Sequence, residues 1–163
     1  FAHGPDGPNG VPCGLERWHV NPATQKVTRA AIDASPQEFP RIDERFFGQP
    51  YRHTWTVSQP SEAVSNFVAD NALYHHDFES GVKRSYTFGA GKVGGEFVFV
   101  PKSDDAKEAD GWLMGLVIDT HNETTELQFF DAIDIEKGPT GAICIPHRIP
   151  PGFHGNWIPD SYQ

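Results

Sequence analysis

The stretch Leu116-Val117-Ile118-Asp119-Thr120-His121-Asn122-Glu123-Thr124 decides the fold class, because an apolar run ends on an aspartate that opens a polar turn. An Asp or Asn side chain bonds its own backbone two residues on, and the Thr or Ser that follows supports a returning strand, so the unit reads as a β-hairpin. The same grammar recurs at Arg17-Trp18-His19-Val20-Asn21-Pro22-Ala23-Thr24 and at Leu73-Tyr74-His75-His76-Asp77-Phe78-Glu79-Ser80. From Asn21 to Asp77 is 56 positions, and from Asp77 to Asp119 is 42. A hairpin that returns every 40 to 55 residues or so has the period of a four-stranded propeller blade. Further strand candidates lie between and after the hairpins, over Arg52–Val57, Arg84–Phe88, Glu96–Val100, Glu126–Asp131 and Ala142–Pro146. The expectation is therefore an all-β chain of about three blades that supplies part of a ring, since propellers close with about four to eight. A Greek-key sandwich is the architectural alternative.

Sixteen glycines and fourteen prolines punctuate the 163 residues at short intervals and leave no long window for a helix. Residues 1–14, rich in Gly and Pro and poor in apolar side chains, read as an irregular leading segment, and residues 15–163 as the blades. The net charge is −9, and the thirteen Lys and Arg residues are scattered, which excludes a phosphate-binding nucleic-acid surface. The longest apolar stretches, such as Leu113–Ile118, are far shorter than a membrane span, so no transmembrane segment is expected. Two cysteines, Cys13 and Cys144, without CxxC spacing indicate neither a disulfide scaffold nor a zinc knuckle, and a reducing, cytoplasmic setting is expected.

Eight histidines make a metal site the first chemistry to consider. None is spaced as a local metal motif, so a site here has to be assembled from distant strands. His19, His53, His121 and His147 read as surface strand or turn histidines. His75 and His76 are neighbours in a strand and point to opposite faces. His154 has a different setting, Ile149-Pro150-Pro151-Gly152-Phe153-His154-Gly155-Asn156-Trp157. Its flanking glycines allow close backbone approach, the prolines stiffen the path, and Phe153 and Trp157 are placed to wall it off from water. On these residues alone, a packing histidine and a metal ligand are equally good readings.

Gly89-Ala90-Gly91-Lys92-Val93-Gly94 matches GxGxxG, yet it leads into Gly95-Glu96-Phe97-Val98-Phe99-Val100-Pro101, a strand pattern. Dinucleotide binding needs a helix N-terminus after that motif, so Gly89 to Gly95 reads as a loop between strands that binds no nucleotide. Two glutamates, Glu38 and Glu96, stand in apolar surroundings. A carboxylate buried there has to be paired, and an imidazole N–H is a fitting partner: a carboxylate of this kind fixes the tautomer of a metal-bound histidine. An exposed strand-end glutamate is the other reading of each.

Five blocks carry a likeness to a known family: Glu38-Phe39-Pro40-Arg41-Ile42-Asp43-Glu44, Tyr51-Arg52, Gly95 to Pro101, Asp110-Gly111-Trp112 running on to Ile118-Asp119, and Ile145-Pro146-His147-Arg148-Ile149-Pro150-Pro151-Gly152-Phe153-His154-Gly155. In this order they resemble the carotenoid oxygenases, which include carotenoid cleavage dioxygenases, lignostilbene dioxygenases and the retinal pigment epithelium isomerase. The resemblance implies a seven-bladed β-propeller with Fe(II) on its axis, held by histidines from different blades and by glutamates that hydrogen-bond them. His154 matches the last iron ligand, and Glu38 and Glu96 match two of the glutamates. The remaining ligands belong to N-terminal blades that would precede Phe1, so the chain is expected to be a C-terminal portion, incomplete and inactive alone. The implied reaction adds both atoms of dioxygen across a C=C bond of an apolar alkene, whether carotenoid, apocarotenoid or stilbene, and yields two carbonyl products. The resemblance also implies that Glu96 accepts a hydrogen bond from His154. The rival reading is a non-catalytic β-propeller or sandwich that binds a partner without metal.

Overall fold

The computed structural model describes residues 13–59 and 71–160. Apart from Cys13 and Gly14, the irregular segment expected over 1–14 lies outside the described residues. All three expected hairpins are present, each held by the side chain at its turn entrance. Asn21 Oδ1 accepts the N–H groups of Ala23 and Thr24 at 3.1 Å each. Asp77 Oδ1 accepts those of Glu79 and Ser80 at 3.1 and 3.3 Å, and Asp119 Oδ1 those of His121 and Asn122 at 3.0 and 2.9 Å. The carboxylate or amide oxygen thus replaces the backbone acceptors that the turning chain has lost. Asp131 repeats the device for Ile133 and Asp134, both at 3.0 Å.

The strands are β1 (Leu15–Asn21), β2 (Lys26–Asp33), β3 (Gln37–Arg41), β4 (His53–Ser58), β5 (Ala72–Asp77), β6 (Lys83–Thr87), β7 (Lys92–Pro101), β8 (Gly111–Asp119), β9 (Thr124–Asp131) and β10 (Gly141–Ile145). Single 3-10 turns, Glu44–Phe46 and Ile135–Lys137, are the helical pieces among the described residues. Every pairing is antiparallel. The sheets run β1-β2, β3-β4-β5-β6 and β7-β8-β9-β10, so two four-stranded units stand beside a two-stranded one. No helix among the described residues is long and apolar enough to cross a membrane.

The core fills the space between the two larger sheets, with Trp55, Leu73, Phe97, Leu113, Val117 and Phe130 all nearly inaccessible. Trp55 joins them: its ring stacks on Phe99 at 5.3 Å and 4°, and its indole N–H donates to the Ala132 carbonyl at 2.8 Å. Burying a side chain of this size contributes roughly 2–3 kcal/mol, and the N–H needs that acceptor once water is excluded. His53 corrects the surface reading: it lies in β4 two residues before Trp55, hence on the same face, and is buried. The loop expected over Gly89 to Gly95 is also partly corrected. Only Gly89–Gly91 form the connection, β7 begins at Lys92, and no helix follows.

Candidate metal centre

Both sequence-singled glutamates sit at a β-bulge on the first strand of their sheet. In β7, Gly94 pairs with Val117 but Phe97 pairs with Gly115, so three steps on one strand face two on the other. In β3, Glu38 pairs with Val57 and Arg41 with Trp55, the same irregularity. A bulge inserts an unpaired residue, bends the strand and re-aims side chains away from strict alternation. The β3 bulge takes Phe39 into the left-handed region, φ 55°, unusual for an aromatic residue.

The Glu96 side chain is only 6% exposed, and three donors converge on it. Its Oε2 accepts the Gly155 N–H at 2.8 Å, while Oε1 lies 3.3 Å from His154 Nδ1 and 3.4 Å from Arg41 Nε. A carboxylate can only accept, so this partner assigns the ring proton to Nδ1 and leaves the Nε2 lone pair free. The edge of the Phe39 ring meets the His154 ring at 5.9 Å and 89°. Among the described residues, the shielding expected from Phe153 and Trp157 is not seen: the two are 68% and 45% exposed. They belong to a stretch without strand or helix that runs along the surface.

Glu38 is not brought to His154. It lines a cavity of about 390 Å³ together with Phe39, Asn71, Gly94, Leu116 and Phe153. Its carboxylate has no hydrogen bond or ion pair with any described residue. Asn71, which the sequence did not mark out, ties this wall to β7 by donating to the Gly94 carbonyl at 2.7 Å and accepting the Gly94 N–H at 2.8 Å.

The other described histidines do not join the site. His19, His121 and His147 are exposed. His53 Nδ1 lies 3.0 Å from His75 Nε2 inside the core, and His76 contacts Gln37 Oε1 at 2.9 Å on the opposite face. Burial pushes the His75 imidazole down to about 4, helped by His53 and Arg84, and burial also lowers His53 and His76. Cys13 and Cys144 are free and exposed. Among the described residues, no three His, Cys, Asp or Glu side chains converge as a metal site. The residues present fit one ligand position: an imidazole with Nδ1 held by a carboxylate and Nε2 open.

A model of the family described as Retinal pigment epithelial membrane protein matches residues 2–159. Lignostilbene-alpha,beta-dioxygenase isozyme III of Sphingomonas paucimobilis is 32% identical over 157 residues, which cover 90% of this chain and 32% of that protein. Carotenoid cleavage oxygenase of Mycobacterium tuberculosis is 35% identical over 149 residues, covering 90% and 29%. Among solved structures, cobalt-substituted Synechocystis apocarotenoid oxygenase is similar with a TM-score of 0.79 at 29% identity, over 89% of this chain and 30% of that one. Pseudomonas brassicacearum lignostilbene dioxygenase gives 0.77 at 30% identity, over 90% and 32%. This chain therefore spans about a third of the length of the relatives it matches.

Proposed function

Because the chain belongs to the Retinal pigment epithelial membrane protein family, whose members similar to it include carotenoid and stilbene cleaving oxygenases, we propose that it forms the C-terminal portion of a non-haem Fe(II) dioxygenase. The substrate in this reading is an apolar alkene, a carotenoid, apocarotenoid or stilbene, cleaved at a C=C bond into two carbonyl products. The observation that carries it is the pairing of Glu96 with His154 across 58 positions of sequence. Iron bound among neutral imidazoles supplies the activation of dioxygen, a task for which side chains have no substitute. This chain's residues have supporting tasks. Glu96 holds the Nδ1 proton of His154 so that Nε2 is presented, and raises the basicity of the ring. Glu38, at the matching bulge of the neighbouring sheet and unpaired among the described residues, suits a histidine contributed by the blades missing from this chain. Leu116, Ile118, Ile149 and Phe153 give the adjoining cavity an apolar lining. A cobalt-substituted relative supports a metal in such a protein.

The test is a graft of this chain in place of the corresponding third of the Sphingomonas enzyme, with iron content and carbonyl products measured on a stilbene and on an apocarotenoid. The intact graft is expected to hold iron and cleave one of them. His154→Ala should lose iron affinity by about 10-fold or more along with cleavage. Full iron occupancy in His154→Ala would remove His154 from the ligand set, and a graft that folds without holding iron would favour the metal-free binding reading.

A further inference from the structure

We propose that Arg41 is a positioning residue for His154: its guanidinium fastens the segment 154–156 to the Glu96 carboxylate, so that the imidazole donates through Nδ1 and presents Nε2. The inference rests on the reading of His154 as a metal ligand, and it concerns how that ring is held.

Residues 154–156 belong to no strand or helix and are exposed, so their placement depends on what other elements reach out to them. Glu96 from β7 does so, and so does Arg41 from β3. Arg41 Nη2 donates to the Gly155 carbonyl at 2.5 Å and lies 3.5 Å from Asn156 Oδ1. Its Nε faces Glu96 Oε1 at 3.4 Å and its Nη1 faces Glu44 Oε1 at 3.3 Å. One planar group therefore grips the Gly155 carbonyl while Glu96 grips the Gly155 N–H, so the residue following the histidine is held through both of its backbone groups. With Gly155 fixed, the ring has little freedom to leave the carboxylate. Arg41 also shares Oε1 with His154 and so fixes the orientation of the carboxylate itself.

The geometry requires a guanidinium. Five donors in a rigid fork can meet Glu96, Glu44 and the Gly155 carbonyl at once, whereas a lysine ammonium is a single point on a flexible stem. The β3 bulge makes the reach possible, because the strained Phe39 backbone displaces Arg41 from regular register.

The experiment uses the whole chain, nitrogen-15 labelled, without metal, at about pH 8. The ring nitrogens of His154 report its tautomer, and amide exchange reports Gly155, with Val117 in the core as the control for folding. In the unaltered chain His154 is expected to carry its proton on Nδ1. In Arg41→Met that preference should be lost and Gly155 exchange should quicken about tenfold, as expected when a hydrogen-bonded anchor is removed. Arg41→Lys should not restore either. An Arg41→Met chain with wild-type tautomer and Gly155 exchange overturns the proposal, as does full rescue by Arg41→Lys. If Arg41→Met also loses Val117 protection, Arg41→Lys is decisive: a lost tautomer with an intact core supports the proposal, and a retained one overturns it. An unaltered chain lacking the Nδ1 proton would instead remove the Glu96–His154 pairing, and with it the ligand reading, whereas an Nδ1 proton indifferent to Arg41 overturns only the role of Arg41.

Discussion

At Gly94 the space a side chain would need belongs to Phe88: a Cβ built there falls 2.3 Å from the Phe88 ring. Both backbone groups of Gly94 are taken by Asn71, so the strand has no freedom to move aside. The last glycine of the apparent nucleotide motif is thus kept for aromatic packing, and the stacked pair Phe88 and Phe97 needs that room. Gly94→Ala should destabilise the chain by about 1–3 kcal/mol, the usual range for overpacking a core. Gly89 is a useful contrast, with φ 97° and open space around it. Gly89→Ala should meet backbone strain alone, about 1 kcal/mol. Urea unfolding of the two variants separates these causes; equal losses would rule out the packing account.

The hairpins could be read from sequence because their chemistry is local: Asn21, Asp77 and Asp119 bond amides two and three residues on, and no distant partner is required. The bulges could not. An extra residue is defined only against the partner strand, and nothing in Glu38-Phe39-Pro40-Arg41 announces that Val57 and Trp55 will be opposite. For the same reason the block containing Arg41 was visible while its grip on Gly155, 114 positions away, was not. His53 is a different case, since the signal was present. It stands two residues before a tryptophan in an alternating run, and a strand side that buries Trp55 buries His53 as well.

Across the whole molecule the two larger sheets meet at a stack in which His75 lies on Trp55 and Trp55 on Phe99. His53 completes it, with Arg84, Arg52, Asp77, Glu108 and His76 as the charged or titratable neighbours of the histidine pair. Because burial holds the His75 pKa in the fold at about 4, below its ordinary 6.5, the unfolded chain takes up the proton first. The stabilisation is therefore complete above about pH 6.5 and is lost as pH falls towards 4, by on the order of 3 kcal/mol from His75. Asp33 and Asp77, both held well below the usual carboxylate range, extend the loss to lower pH: Lys83 and Ser35 outweigh the burial of Asp33, and Arg52 is the main cause at Asp77. Urea midpoints at about pH 7.5 and pH 4.5 should differ in the unaltered chain and differ less in His75→Asn; a flat profile would contradict the buried-pair account.

The order of strands within each sheet follows the order of the chain without a crossover. Folding is therefore expected to proceed by closing neighbour to neighbour, each step small in loop entropy, with the docking of one sheet on the other coming after. Glu96 and Arg41 are delivered by different sheets, so the clasp around Gly155 can close only when that docking is done. On this order the clasp around Gly155 is expected to form last. Pulse-labelled hydrogen exchange during refolding should find strand amides such as Val117 protected before Gly155, and simultaneous protection of both would contradict this sequence of events.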